Sequence, residues 1–325
     1  MNHRQRLEAC ISGNEVDRPP VALWRHFPVD DSNAVELSKS IVTFQNTYDF
    51  DFIKVTPSSS FCVSDYGVVD AWRGNPEGTR DYISYPISNP ADWSRLSPLT
   101  LTRGELGKQL ECLARVIEQR DPHTPVIQTV FNPLSQAKNL IGKENLIVHI
   151  RKYPNEVLTA LDVLTDNTLR FVDACINLGV DGIFFAVQHA QSSLLADDEI
   201  RQFMLPFDER VVNAASSLWL NVLHLHGTNI NFDLIPKDGF SVVNWHDLET
   251  QPSLPEGKKR ISGAVCGGMR QWETLVYGTP EIVNKEARQA IQATQGKRFI
   301  LGTGCVLPII APRSNIMAAR LAVES

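Results

Sequence analysis

Eight short apolar runs recur along the chain, and longer stretches with helical spacing separate them. The runs are VALWRHF (21–27), FIKVTP (52–57), PVIQTVF (125–131), GIFFAVQ (182–188), LNVLHLHG (220–227), SVVNWHDL (241–248), RISGAV (260–265) and RFILGTGC (298–305). Each is almost continuous in apolar residues, the pattern of a strand buried on both faces of a parallel sheet. Between them, NEVLTALDVLTDNTLRFVDACINLG (155–179) repeats apolar positions at helical spacing and ends on a glycine that should stop the helix. DDEIRQFMLPFDERVVNAASSLW (197–219) opens on an acidic N-cap and first turn, and Pro206 predicts a kink or a break. TPEIVNKEARQAIQAT (279–294) begins with a threonine N-cap and a proline at the first helical position, and SNIMAARLAVES (314–325) closes the chain.

Strands alternating with helices eight times predict a single-domain (β/α)8 barrel over residues 1–325, its first strand containing Val21–Arg25 and its last Phe299–Gly302. A doubly wound open sheet is the alternative, because strand order is not written in one sequence. Residues 58–102 break the alternation and read as an elaborated loop after the second strand. The loop is predicted to fold over the barrel mouth, because Phe61, Tyr66, Trp72 and Tyr82 need burial and the mouth needs a wall.

Composition narrows the function classes. Hydrophobic content of 43% and charged content of 21% are those of a globular chain, and a net charge of −6 without basic runs argues against nucleic acid and anionic membrane as partners. No apolar run approaches the roughly 18 residues that cross a bilayer, and the N-terminus lacks the apolar stretch of a signal peptide. The cysteines at 10, 62, 112, 175, 266 and 305 form no short-spaced pair, which suits a reducing, cytoplasmic compartment.

Active sites of such barrels lie at the C-terminal ends of the strands. The polar residues ending the runs are Arg25, His26, Gln188, His189, His224, His226, His246, Asp247, Cys266 and Cys305, and they include five of the eight histidines. In an extended chain His224 and His226 point to one face. With Cys305 from the last run they would offer imidazole and thiolate, a donor set that favours zinc over magnesium or calcium. The bland alternative is a pair of histidines bonded to backbone or substrate, with Cys305 as a small buried hydrophobe. Arg25 is a candidate anion clamp or a structural salt bridge. His246 is a candidate acid/base or fourth ligand, and on a strand it should face away from its neighbour Asp247. His26, Tyr66, Gln188 and His189 are candidate substrate contacts, each with a structural alternative, and Cys266 reads as packing.

The opening RQRLEACISGNEVDRPPVALWRH resembles the start of uroporphyrinogen decarboxylase superfamily proteins, as do LGVDGIFFAVQHAQ, FMLPFDERVVNAA and LGTGCVLPIIAPRSNIMA further on. The resemblance runs in order over nearly the whole chain and implies a (β/α)8 barrel. In one branch, true decarboxylases act on a tetrapyrrole without metal. Arg25 matches their first-strand arginine, but HFPVDD lacks the second one, KVTPSSSF has no counterpart of their catalytic Asp, and Cys305 stands where they carry a histidine. The other branch contains cobalamin:coenzyme M methyltransferases. Their zinc ligands fall on His224, His226 and Cys305, with His226 replacing a cysteine. That branch implies a zinc enzyme transferring a methyl group from a corrinoid or tetrahydrofolate to a thiol or similar nucleophile. The partners expected are a small-molecule substrate, a corrinoid protein and a second copy of the chain in a homodimer. A metal-free decarboxylase of a tetrapyrrole or smaller organic acid, and a non-catalytic tetrapyrrole-binding protein, stand as alternatives.

Overall fold

The computed structural model describes residues 1–324, in which parallel strands form a curled sheet wrapped by helices. In chain order, α1 (His3–Ile11) and α2 (Ala34–Tyr48) precede β1 (Ile53–Val55). A small antiparallel hairpin of β2 (Val69–Ala71) and β3 (Asp81–Ser84) follows, then α3 (Gly104–Gln119) and β4 (Val126–Phe131). Next come α4 (Pro133–Ile141), α5 (Lys143–Lys152), α6 (Pro154–Leu178) and β5 (Gly182–Val187), then α7 (Asp197–Phe203), α8 (Leu205–Ala214), β6 (Val222–Leu225) and β7 (Val242–Trp245). The chain ends with α9 (Leu254–Lys258), β8 (Ala264–Met269), α10 (Pro280–Thr294), β9 (Phe299–Thr303) and α11 (Arg313–Leu321). The main sheet runs β1-β4-β5-β6-β7-β8-β9, every pair parallel.

The predicted first strand is reduced to one bridge, Val21 to Leu301, rather than a ladder over 21–25. Prolines 19 and 20 have no N–H to donate, and the N–H of Val21 bonds the Asp51 carboxylate instead of a neighbouring strand. The segment still occupies the eighth position. Ala22 donates to Leu301 O, Leu301 to Pro20 O, and Asp51 to Val21 O, so residues 20–22 close the ring between β9 and β1. Fully buried Asp51 also accepts from Arg6, Arg18 and His3, a charged clasp at the N-terminal face that opposes its own desolvation. The architecture is thus a TIM-barrel-like (β/α)8 arrangement.

Two further expectations are corrected. The seventh strand is Ala264–Met269, not 260–265, so Cys266 lies mid-strand and fully buried instead of at a strand end. Its glycines are strand residues because neighbours press on them: a Cβ on Gly267 would lie 2.2 Å from the Asp247 carboxylate. The N-cap before α7 is Ala196, and the acids 197–199 lie inside the first turn, with Glu199 reaching back to the Ala196 N–H. The chain breaks at Met204, between α7 and α8, immediately ahead of Leu205 and Pro206. Gly179 stops α6 in the left-handed conformation at φ 88°.

Residues 58–102 cross the C-terminal face. Pro76 O accepts from Ile309, Glu77 accepts from the Trp272 indole, and Arg80 binds Asp31 and Pro28 O. Those partners sit on the loops that follow β9, β8 and the first segment. The β2–β3 hairpin therefore spans the mouth. No helix among the described residues is long and apolar enough to cross a membrane.

Candidate metal centre

His224 is the third residue of β6, and His226 follows the strand after one more step, so the pleat turns both rings toward the barrel axis. His246 is the first residue beyond β7, and Cys305 the second beyond β9. Gly304 brings the cysteine in: a Cβ there would lie 2.7 Å from His246 Cα and 3.1 Å from Trp245 O. Thr303 Oγ1 donates to Cys305 O and tightens the turn.

The four side chains converge. Cys305 Sγ is 3.6 Å from His226 Nδ1 and 3.7 Å from His224 Nε2, and His246 Nε2 is 3.4 Å from His226 Nδ1. One donor atom from each of the four lies within 4.8 Å of all the others. A tetrahedral zinc site with bonds of about 2.1 Å to nitrogen and 2.3 Å to sulfur has edges of roughly 3.4 Å between nitrogens and 3.6 Å between nitrogen and sulfur. The observed contacts match those edges. Three imidazoles and one thiol also form the donor set that zinc takes in preference to harder ions.

Ring orientation can be read from the partners. Asn244 Nδ2 donates to Cys266 O and Thr303 O, which leaves its Oδ1 to accept from His224 Nδ1 at 2.7 Å. The proton of His224 is therefore on Nδ1, and the Nε2 lone pair faces the cluster. Glu249 similarly takes His246 Nδ1 at 3.2 Å and leaves Nε2 inward. Burial pushes His226 down to about 3 and His224 well below its usual value, so both rings are neutral at ordinary pH. The Cys305 thiol, packed among the rings at the half-open mouth, is pushed by burial up to about 11.

Of the other candidates, His26 and His189 are buried, neutral rings, both pushed by burial to about 3. Each leaves its Nδ1 without a hydrogen-bond partner, as does Gln188 its Oε1. Arg25 does not join the cluster. Its guanidinium lies over Phe27 and Phe44 at 5.0 and 5.4 Å and donates to Ile309 O, between the barrel wall and α2. Tyr66 is held against α6, donating to Ser97 O and accepting from Asn167. Asp247 faces away from the cluster, bonded to the Gly268 N–H, and burial raises its carboxyl to about 7.

Two residues escaped the sequence reading. Asn244 was legible only as a polar residue two positions before His246, on the same strand face. Lys54, inside FIKVTP, is buried within the barrel. Its ammonium lies 4.4 Å from the Phe184 ring centroid and, among the described residues, bonds only Thr56 Oγ1 at 3.1 Å, and burial pushes it down to about 7.

A family model described as uroporphyrinogen decarboxylase (URO-D) matches residues 74–325. The chain is 26% identical to the methylcobamide:CoM methyltransferase MtaA of Methanosarcina barkeri, over 97% of this chain and 95% of that one. It is 23% identical to the methylcobamide:CoM methyltransferase MtbA of Methanosarcina mazei, over 96% and 95%. A uroporphyrinogen decarboxylase of Chlorobium phaeovibrioides is 24% identical over 71% of this chain and 68% of its own length. Among solved structures, a methyltransferase from Methanosarcina mazei superposes with a TM-score of 0.85 at 21% identity, covering 100% of this chain and 98% of that one, a likeness of fold.

Proposed function

The chain belongs to the uroporphyrinogen decarboxylase family, and from that membership we propose that it is a zinc-dependent methyltransferase acting on a small thiol, with the methyl group supplied by a corrinoid or folate carrier. It is an enzyme, and its likeness to the methyltransferase relatives runs over 96–97% of the chain, against 71% for the decarboxylase. The observation that carries the reading is the convergence of His224, His226, His246 and Cys305 within 4.8 Å, with the three contacts of 3.4, 3.6 and 3.7 Å at tetrahedral edge lengths.

These four residues would hold the metal. Zinc held there would lower the pKa of an approaching thiol and present a thiolate at neutral pH. Asn244 fixes the His224 tautomer, and Glu249 orients His246. A single thiolate among the ligands donates less negative charge than two would, which makes the centre more electrophilic. The β2–β3 hairpin across the mouth limits water around the nucleophile. A corrinoid protein is the partner this reading proposes.

The test combines metal analysis with methyl transfer. Purified protein supplied with zinc should carry about one ion per chain and convert methylcobalamin, followed by its visible spectrum, only when coenzyme M or another small thiol is added. A protein that takes up no zinc, or that consumes methylcobalamin without a thiol, contradicts the reading. Carbon dioxide release from a tetrapyrrole acid by metal-free protein would favour decarboxylation instead.

A further inference from the structure

The outer face of the sheet carries a cavity that the metal centre does not use. Phe184 points inward, onto Trp24 and His224, so strand parity turns Phe185 and Val187 of β5 outward, as it does Leu223 of β6. These three form the floor of a cavity of about 570 Å³ beneath α8. Val212 of that helix and Phe240, stacked on Phe185 at 5.9 Å, are its walls. A helix packed on a sheet ordinarily leaves few voids larger than a water molecule. A hollow of this size, apolar at its floor with a few polar groups, has the dimensions of a small-ligand pocket.

Asp208 of α8 lines the same cavity and is 7% exposed. Among the described residues its carboxyl pairs with no cation, and both oxygens share one donor, Asn132 Nδ2, at 3.1 Å. The Asn132 amide has no acceptor to offer in return, because its Oδ1 already takes the N–H and the hydroxyl of Ser135. The acid is therefore incomplete in either state. Ionised, it is a buried charge without a counter-ion; protonated, its O–H finds no acceptor. Burial holds it well above the ordinary carboxylate range. Two more carboxylates, Glu209 and Asp238, stand exposed at the rim, and no lysine, arginine or histidine lines the cavity. A hollow walled by one sign of charge draws in the other.

We propose that this cavity binds a small organic ammonium ion, with its charge on Asp208 and its apolar body against Phe185, Val187 and Phe240. The ammonium supplies both the counter-ion and the donors that the Asp208 oxygens lack, and the body covers apolar floor that otherwise faces water. The sheet lies between this site and the ring of His224, so the assignment stands independently of the chemistry at the metal centre.

The experiment measures binding of 2-phenylethylamine, a cation at neutral pH, and of neutral 2-phenylethanol by calorimetry on zinc-loaded protein, with folding of each variant checked by circular dichroism. Wild type should bind the amine about 10–100-fold more tightly than the alcohol, the range of a hydrogen bond to a charged group. Asp208→Asn, whose side-chain oxygen still accepts from Asn132, should bring the amine to the level of the alcohol and leave the alcohol within a factor of about 3. Glu209→Gln, at the exposed rim, should keep most of the preference. Asn213→Trp, an exposed rim position that tolerates a large side chain, should block both ligands. Equal binding of the two by wild type, or binding of neither, overturns the proposal. So does a preference that survives in Asp208→Asn or vanishes in Glu209→Gln, or full binding by Asn213→Trp. Amine binding that disappears when a chelator removes the zinc would place the amine on the metal and overturns it equally.

Discussion

Replacing Lys54 with methionine should make the metal-free protein more stable, and by more in mild acid than in base. Burial holds the native ammonium at about 7 against 10.5 for an ordinary lysine. Below pH 7 both native and unfolded states carry the proton, so the native state bears the whole desolvation cost. Between pH 7 and 10.5 the native amine is neutral while the unfolded chain remains protonated. The cost therefore shrinks as pH rises and vanishes above the unfolded value. At 1.36 kcal/mol per unit, the difference sets a ceiling of about 5 kcal/mol below pH 7. Relaxation around a real buried charge reduces this, and a gain of about 2–4 kcal/mol at pH 6 is expected. Methionine fits the site because Phe184 and Trp24 already form its walls. Urea unfolding followed by tryptophan fluorescence in the presence of a chelator reads the effect. With a slope of about 3 kcal/mol/M or more, the midpoint should move up by roughly 0.5–1 M at pH 6 and by much less at pH 10. A midpoint that falls at pH 6, or a gain that stays constant with pH, would refute the reasoning.

Other outcomes follow from the geometry. Gly304→Ala should displace the Cys305 turn, because the added methyl meets His246 Cα at 2.7 Å; zinc affinity falls while far-UV circular dichroism stays unchanged. Asn244→Ala should weaken zinc about 10–100-fold through loss of the His224 orientation, measured by chelator competition. It also removes one donor each from Cys266 O and Thr303 O, at a stability cost of about 0.5–1.5 kcal/mol each. Zinc binding at pH 8 should release about one proton per ion, since the Cys305 thiol at about 11 is protonated while His224 and His226 are neutral. An indicator titration showing no release would mean that Cys305 is not a ligand.

The barrel was legible because strands buried on both faces announce themselves as apolar runs, and β4, β5 and β9 fall within a residue or two of the predicted runs. The first run misled because Pro19, Pro20 and the Asp51 side chain remove or divert the donors a ladder needs, which composition does not reveal. In β8 the predicted run stops at Val265, short of Gly267 and Gly268, where the close approach of Asp247 and Ala290 leaves room only for glycine. The convergence of His224, His226, His246 and Cys305 was legible from two-residue parity and the strand-end rule. Parity also accounts for the position of Arg25. On its segment Trp24 packs on Phe184, while Arg25, one residue later, turns outward onto Phe44. Lys54 and Asn244 stayed hidden because a polar residue inside an apolar run acquires meaning only when its cross-barrel neighbours are known.

The account stands on one metal ion shared by His224, His226, His246 and Cys305, and X-ray absorption at the zinc edge tests that directly. Zinc-loaded wild type should show about three nitrogen neighbours near 2.1 Å and one sulfur near 2.3 Å. In Cys305→Ser the sulfur shell and most of the bound metal should be lost, whereas Cys10→Ala should leave both unchanged. A spectrum without a sulfur neighbour in wild type, or an unaltered zinc content in Cys305→Ser, would contradict it.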